Sequence, residues 1–344
     1  MRSRLRCRGF KEIFDGKRRA LNKAYAMTQG SDASLKTYYY ELGVSSLVAR
    51  LQSISGRRFR NAAFIGPCAD LFYAEALRTL GLEALTVVDD VKESVDRSLA
   101  RIRGQFTGAK VVGVTLEADS WPFPESYFDL IVNNLQLHWV NNVHQACTGW
   151  HKSLQPDGAL IGAAMGGDTL QELRIALSLS EQEREGGISA HVSPMLTITD
   201  VGNVLNRSEY RLITTTADAN TLVFDDSFSL MEFLREVGES NAVQHRRAAV
   251  SRETFLAAEC IYRHLFAYRE GEHTGKLPAT FDVMHYIGWR EHSSQQKPLK
   301  PGTRGVNLKE LAELVQDDDV DLGEIIDKDG KIKVNYIKSR KPSS

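Results

Sequence analysis

Residues 64–70, FIGPCAD, have the form of a ligand-binding loop, because an apolar run ends in Gly66 and an amphipathic segment follows it. Glycine in such a loop lets the backbone come close to a bound anion at the start of a helix. Acids follow two later apolar runs, at Asp89 or Asp90 and at Glu117. A carboxylate accepts two hydrogen bonds at once and therefore suits the hydroxyl pair of a ribose. We assign that role to Asp90, and the alternative is that these groups are polar ends of buried strands.

Short apolar runs must position these residues. In the first half of the chain they alternate with amphipathic segments near 70–80, 92–103 and 142–153. The runs that we assign to strands are AAFIG, ALTVVD, VVGVTL, FDLIVNNL and ALIGAAM. Such alternation is typical of parallel strands with helices on both faces of the sheet.

The pattern changes after the fifth predicted strand. Asp168 or Thr169 is predicted to cap a helix that runs to Gly186. The elements expected after it are a helix at 199–206, a strand at 211–224, helices at 227–238 and 251–267, and a last strand in TFDVMHYIGWRE. The mostly helical segment 225–279 is an insertion between the last two strands. We expect it to project from the sheet and to carry contacts with a partner.

The composition limits the class of protein. The chain has 344 residues and a formal net charge of −1, so charge does not indicate RNA or an anionic membrane as a partner, although it leaves direct RNA contact open. No apolar run approaches the roughly 18 residues that a membrane-spanning helix needs. The four cysteines lie far apart without a C-x-x-C pair, which predicts free thiols in a reducing compartment and no zinc site.

The two ends of the chain are charged. The first 23 residues carry nine Lys or Arg and two acids, which favours a mitochondrial import peptide over 1–10, with a solvated basic arm as the alternative. The other end is acidic and then basic, which predicts a poorly ordered tail with some local structure or a hairpin. The predicted organisation is an import peptide at 1–10, an N-terminal helical segment at 11–60, a main domain at 61–295 and a C-terminal extension at 296–344.

Three further stretches are more specific than the loop: PFPESYFDLIVNNLQLHWVNN, LQPDGALIGAAMGGDTLQELR and EREGGISAHVSP. With IFD from residue 13, GESN at 238–241 and YIGW at 286–289, they resemble the methyltransferase-fold arginine hydroxylases that assist assembly of mitochondrial respiratory complex I. The sequence is similar, more distantly, to the malonyl-carrier-protein methyltransferases of biotin synthesis. The resemblance runs from residue 13 to about residue 295.

This resemblance implies a fold, a ligand and a location. The fold is the α/β, Rossmann-like, seven-stranded sheet of the class I S-adenosylmethionine (SAM) methyltransferases, here with helical insertions. The location is the mitochondrial matrix, and the family activity is hydroxylation of an arginine on a complex I subunit. SAM is the expected cofactor, and its implied contacts are Gly66, Asp90, Glu117 and Asn133.

The loop departs from the family pattern. Relatives read D-L-G-C-G-x-G where this chain has Phe64-Ile65-Gly66-Pro67-Cys68-Ala69-Asp70. Pro67 removes a backbone N–H and Cys68 adds a side chain, so the cradle for the cofactor is weakened. Asp70 would bring its charge near the carboxylate of SAM, whereas as a helix N-cap it has a use that needs no ligand. SAM binding is therefore doubtful by this reasoning.

Catalytic residues are not evident in the sequence. None of the nine histidines is followed two positions later by Asp or Glu, so the pattern of a non-haem iron site is missing and we expect no metal. The residues proposed for a substrate or partner surface are His138, Asp168, Glu172, Arg174 and His191, with structural roles as the alternative. Two hypotheses stay open: a pseudoenzyme that holds a partner in complex I or the mitochondrial ribosome, and an active SAM-dependent hydroxylase or methyltransferase acting on a protein.

Overall fold

The computed structural model describes residues 12–28, 33–54, 58–105, 109–117, 119–247 and 249–295. The predicted import peptide and the C-terminal extension lie outside the described residues. The described residues up to Ser293 form one compact unit, and only Ser294 and Gln295 of a second unit are described.

Seven strands form one sheet in the order β3-β2-β1-β4-β5-β7-β6. Their bounds are β1 Asn61–Ile65, β2 Ala84–Asp89, β3 Lys110–Thr115, β4 Phe128–Asn134, β5 Leu154–Met165, β6 Arg211–Phe224 and β7 Leu277–Trp289. The first five strands pair in parallel, and β7 lies antiparallel to both β5 and β6. This sheet confirms the predicted fold, and all seven strands overlap the segments predicted for them.

Nine α-helices are described. Their bounds are α1 Gly16–Thr28, α2 Ala33–Ser53, α3 Ala69–Leu80, α4 Lys92–Gln105, α5 Val143–Ser153, α6 Gln171–Glu185, α7 Ile198–Arg207, α8 Ser227–Glu236 and α9 Arg252–Phe266. A single 3-10 turn, Leu137–Trp139, follows β4. The helices cover both faces of the sheet, so β1 is buried along almost its whole length, as expected for a central parallel strand.

Alternate residues of the central strands pack into two apolar cores, one on each face of the sheet. Phe64 of β1 points into the larger core with α2, α3, α6, α8 and α9, and Ile65 points into the smaller one with α5 and α7. Successive side chains of a strand point to opposite faces, which explains the division. The parallel order also brings the ends of β1, β2, β4 and β5 to one edge, and the functional residues must be sought there.

The segment between β6 and β7 packs into the molecule and does not project from it. Leu230 and Phe233 of α8 and Tyr262 of α9 are buried in the larger core. The expectation of a projecting insertion is therefore wrong, because the helices have apolar faces that the sheet and α6 cover. The N-terminal helical segment behaves likewise, since Tyr39 and Leu47 of α2 are fully buried in the same core.

Two predicted helix caps are also wrong. The N-cap of α3 is Cys68, and Asp70 lies inside the first turn of that helix. The N-cap of α6 is Leu170, with no side-chain cap from Asp168 or Thr169. Cys68 and Leu170 have φ values of 63° and 56°, so both helices begin from a left-handed residue and not from an extended, side-chain-capped one. The predicted end of α6 at Gly186 is confirmed.

No described helix is long and apolar enough to cross a membrane. Within the described ranges, no group of three His, Cys, Asp or Glu side chains is placed to hold a metal ion. Cys68, Cys147 and Cys260 are free thiols, as predicted, and Cys7 lies outside the described residues.

Candidate functional site

The loop after β1 passes very close to β4. Gly66 has a φ of 112°, and a Cβ atom there would lie 2.1 Å from the carbonyl oxygen of Asn134. The Asn134 side-chain amide donates a hydrogen bond to the carbonyl of Pro67 at 3.2 Å. Cys68 then adopts the left-handed conformation that favours glycine. The loop thus keeps a tight, glycine-type backbone course although Gly66 is followed by proline and cysteine.

Asp70 forms an ion pair in place of the cap expected from the sequence. Its carboxylate lies 3.0 Å from the Arg101 guanidinium of α4. It stands in the first turn of α3, where a negative charge is favourable because the backbone N–H groups of the helix end point toward it.

The acids after β2 bind a lysine of the N-terminal helix. The Lys23 ammonium lies 2.5 Å from Asp89 Oδ1, 3.0 Å from Asp90 Oδ1 and 3.0 Å from Gln136 Oε1. Burial raises the pKa of Asp89 to about 6, although Lys23 opposes the rise. Burial also opposes ionisation of Asp90, but Lys23 and then Arg19 outweigh it and hold the Asp90 pKa well below its usual value. Lys23 itself is only 2% exposed.

The space left beside this ion cluster is very small. A cavity of about 20 Å³, named here the β2 cavity, is lined by Asp89, Asp90, Glu117, Ser120, Gln136 and neighbouring apolar residues. That volume holds about one water molecule, whereas ligand pockets measure roughly 300–1,000 Å³. Asp90 and Glu117 both line this cavity. Asn133 lies elsewhere, because its Oδ1 accepts a hydrogen bond from the Tyr286 hydroxyl at 3.1 Å inside the sheet.

A larger cavity opens at the end of β5. It measures about 250 Å³ and is named here the β5 cavity. Its walls are mostly apolar and include Met165, Leu173, Leu177, Met195, Met231 and Phe255. Its polar lining residues are Tyr39, Thr169, His191, Ser193, Glu239, Ser240 and Asn241. The hydroxyl group of Ser193 is buried without a hydrogen-bond partner among the described residues, and the buried hydroxyl of Tyr39 lies near the Glu239 carboxylate. The insertion contributes to these walls through Met231 and Phe255.

Glu239 is the charged group in the wall of the β5 cavity. Its Oε2 accepts a hydrogen bond from the Trp139 indole at 2.9 Å and lies 3.3 Å from His138 Nε2. The Met165 backbone N–H donates to His138 Nδ1, so the ring carries its proton on Nε2 and donates it to Glu239. Burial opposes ionisation of Glu239, but His138 and Arg19 lower its pKa below the usual value.

A second acid fixes the loop that follows α6. Glu181 is buried and accepts hydrogen bonds from the Ser189 backbone and hydroxyl, both at 2.6 Å, and from Arg247 at 2.9 Å. His191 Nε2 lies 2.8 Å from the same carboxylate. Burial opposes ionisation, but these hydrogen bonds lower the pKa of Glu181 to about 2. The carboxylate thereby holds the segment that carries His191 into the β5 cavity.

The other predicted surface residues do not join this site. Asp168 is exposed at the turn after β5. Glu172 is buried and accepts hydrogen bonds from the backbone and hydroxyl of Thr280, so it ties α6 to β7 and is not available to a partner. Arg174 is partly buried, and two of its guanidinium nitrogens have no hydrogen-bond partner among the described residues. Of the predicted set, His191 lines the cavity and His138 supports its charged wall.

Sequence reasoning missed the charged residues that lie beside or within the two cavities. Lys23 and Arg19 lie in the basic N-terminal stretch and are spaced four residues apart, which places them on one helix face. That spacing was the available signal. Glu239 stands within GESN, but nothing in those four letters indicates burial.

The fold defines the class of protein. A family model described as a methyltransferase domain matches residues 65–162. The crystal structure of the YcgJ protein from Bacillus subtilis superposes on 72% of this chain and on all of its own, with a TM-score of 0.50 at 12% identity. The chain is a methyltransferase-fold protein.

Sequence similarity narrows the family. The mitochondrial arginine hydroxylase NDUFAF5 of Rattus norvegicus is 35% identical over 302 residues, which is 88% of this chain and 84% of that protein. The malonyl-[acyl-carrier protein] O-methyltransferase of Xylella fastidiosa is 30% identical over 174 residues, 50% of this chain and 55% of that one. The chain belongs to the family of the NDUFAF5 arginine hydroxylases, and both resemblances seen in the sequence are confirmed.

Proposed function

We propose that this chain is an assembly factor for mitochondrial respiratory complex I that works by binding a protein partner and does not depend on SAM. Membership of the NDUFAF5 family supports the assembly role and an arginine-bearing subunit as the partner. The relatives give no support to the mitochondrial ribosome, the other assembly that the sequence left open.

The observation that carries independence from SAM is the ion cluster after β2. Both acids that could hold a ribose are bound to the ammonium of Lys23, and the adjoining β2 cavity is about 20 Å³. Pro67 also withholds a backbone N–H from the loop, and Asp70 presents a like charge to the cofactor's carboxylate. These residues do not fit SAM.

The β5 cavity supports partner binding. It is large enough for a side chain, and its apolar walls carry one polar group, the Ser193 hydroxyl, that has no hydrogen-bond partner among the described residues. Protein interfaces obtain much of their affinity from one anchoring side chain that fills such a pocket. The insertion residues Met231 and Phe255 would take part in the contact, in agreement with the proposal that the segment 225–279 binds a partner.

A matched pair of variants tests the proposal. Ser193→Trp fills the β5 cavity and Ser120→Trp fills the mouth of the β2 cavity, and each is introduced into cells that lack the protein. We expect Ser193→Trp to weaken partner binding by about thirtyfold, the loss of a hot spot of about 2 kcal/mol, and to reduce assembled complex I on native gels. Ser120→Trp should leave assembly intact.

Thermal melting must show that both variants fold. The opposite pattern, in which Ser120→Trp abolishes assembly and Ser193→Trp does not, would support an active SAM-dependent hydroxylase or methyltransferase. Purified wild-type protein that binds SAM tightly would point the same way.

The matrix location is also proposed, because the relatives are mitochondrial and residues 1–10 are rich in arginine. Replacing Arg2, Arg4, Arg6 and Arg8 with glutamate should prevent import, since a positive, acid-free end is required for translocation. Fractionation of mitochondria measures the outcome, and unchanged delivery to the matrix would contradict the prediction.

A further inference from the structure

The buried face of α1 is unusual in its chemistry. An ordinary surface helix turns an apolar stripe toward the core. The buried residues of α1 are Arg19, Lys23 and Ala26, so two of the three are cations, while Leu21 is 64% exposed. Hydrophobic burial therefore contributes little to the docking of this helix, and polar contacts must hold it.

All three hydrogen-bond donors of the Lys23 ammonium group have an acceptor. An ammonium group has three N–H donors, and here three oxygen atoms lie within 3.0 Å of it, from Asp89, Asp90 and Gln136. The acids come from the end of β2 and the amide from the end of β4. One side chain therefore joins two strand ends and the N-terminal helix.

Arg19 extends the same contact toward the other cavity. Its guanidinium lies 4.7 Å from the centre of the Trp139 ring, a cation–π distance, and the residue is 4% exposed. The Trp139 indole in turn donates a hydrogen bond to Glu239 at 2.9 Å, while Nε and Nη1 of Arg19 are buried without a hydrogen-bond partner among the described residues. Lys23 thus contacts two buried carboxylates directly, and Arg19 contacts the ring that donates to a third, Glu239, in the wall of the β5 cavity.

Both ends of α1 are fixed by further polar contacts. Asp15 accepts hydrogen bonds from the backbone N–H groups of Lys17 and Arg18 at the start of the helix. Lys36 of α2 and Arg97 of α4 donate to carbonyl groups at its end, where the helix dipole favours cations. These contacts hold α1 in register, so that Lys23 meets the acids.

We propose that α1 is an intramolecular ligand of the cofactor site: Lys23 takes the place of a bound sugar on Asp89 and Asp90, and Arg19 links that site to the wall of the partner-binding cavity. This inference rests on the proposed function, because it explains how the edge of the sheet stays ordered without SAM. The same helix contacts the surroundings of both cavities, since its departure would remove Lys23 from Asp90 and Arg19 from the Trp139 ring that donates to Glu239.

Amine labelling of the native full-length protein tests this directly. Lys17 and Lys23 lie on the same helix, and Lys17 is exposed. With an amine-reactive acetylating reagent and mass spectrometry, Lys23 should react at least about tenfold more slowly than Lys17, because it reacts only when α1 opens. Equal rates would overturn the inference.

Adding SAM separates this inference from the proposed function. Protection of Lys23 that is unchanged by millimolar SAM supports both. If SAM abolishes the protection of Lys23, then SAM displaces α1 from the cofactor site. That result supports the inference, because α1 occupies the site, and contradicts the proposed independence from SAM.

A pair of charge variants gives a second measurement. Lys23→Met and Lys17→Met remove the same charge from the same helix. Loss of a buried partner should lower the melting temperature by about 10 °C for Lys23→Met, whereas the exposed control should change by less than about 2 °C. Adding Asp90→Asn to Lys23→Met should restore part of the loss, because one buried carboxylate is then removed with its counter-ion. Equal shifts for the two single variants would overturn the inference.

Discussion

The two cavities at the edge of the sheet differ in their lining residues and in their volumes. The β2 cavity measures about 20 Å³, its lining includes the carboxylates of Asp89, Asp90 and Glu117, and Lys23 is bound to both aspartates. The β5 cavity is bordered mainly by Met, Leu and Phe side chains and keeps about 250 Å³. A few directed hydrogen bonds are enough to close a polar site, whereas an apolar one closes only if matching volume is supplied.

The largest expected effect comes from reopening the β2 cavity. A variant combining Pro67→Cys, Cys68→Gly, Asp70→Gly and Lys23→Ala restores the glycine loop and frees the acids. Repulsion between unit charges 4 Å apart is about 4 kcal/mol near a surface, so removing Asp70 could strengthen SAM binding by up to about a thousandfold. Arg101 offsets part of that repulsion in the wild type. Calorimetry measures the gain.

Two controls sharpen this prediction. The three loop changes without Lys23→Ala should bind SAM far more weakly, because the acids remain paired. Within the reopened variant, Asp90→Ala should lose about 1.5–3 kcal/mol of binding if Asp90 holds the ribose. An unchanged affinity would show that another group binds the ribose, and Asp89 would then be replaced in the same way.

A smaller effect concerns the wall of the β5 cavity. The pKa of Glu181 is lowered from 4.5 to about 2, so its ionised form stabilises the folded state above pH 4.5 and that stabilisation is lost as the pH falls toward 2. Glu181→Gln should therefore be less stable than wild type by about 2 kcal/mol at pH 7, the value of hydrogen bonds to a charged group. Urea denaturation at several pH values should show the difference vanishing near pH 2. A difference independent of pH would show that the charge of Glu181 does not fix this loop.

The smallest effect concerns the loop that follows β1. Cys68 has a φ of 63°, a conformation that costs a non-glycine residue about 1 kcal/mol. Cys68→Gly should raise stability by up to about 1 kcal/mol in spite of the lost sulfur contacts, measured as a rise in melting temperature. Cys68→Ala, which loses the same sulfur but keeps a Cβ, should not be stabilising. If glycine and alanine behave alike, the backbone at this position is not strained.

The sequence predicts the sheet well and the site only in part. The first five strands contain short apolar runs between amphipathic segments, and β6 and β7 overlap the two longer segments predicted after them. The N-caps of α3 and α6 were assigned to the wrong residues because Cys68 and Leu170 adopt left-handed conformations that their residue types do not indicate. Asp90 and Glu117 could be brought together because both follow strands that end at one edge.

The rest of the site depends on pairs that no local pattern encodes. Lys23 and Asp89 are 66 residues apart, and His138 and Glu239 are 101 residues apart. From the sequence, Lys23 is one more cation in a basic stretch, and its burial follows only from the position of α1. Glu172 shows the converse, since a charged residue on a predicted helix face proves to be bonded to Thr280 inside the fold.

The position of α1 also has a consequence for the order of folding. Its partners come from the ends of β2 and β4 and from the segment after α8, so they are spread over more than 200 residues of later sequence. A contact of such long range forms late, because the intervening chain must first be ordered. Although α1 precedes the other described helices in the chain, it is therefore expected to be among the last to dock. Chains interrupted before Glu239 would keep Asp89 and Asp90 but would lack Glu239 and the Ser240 carbonyl that Asn22 binds.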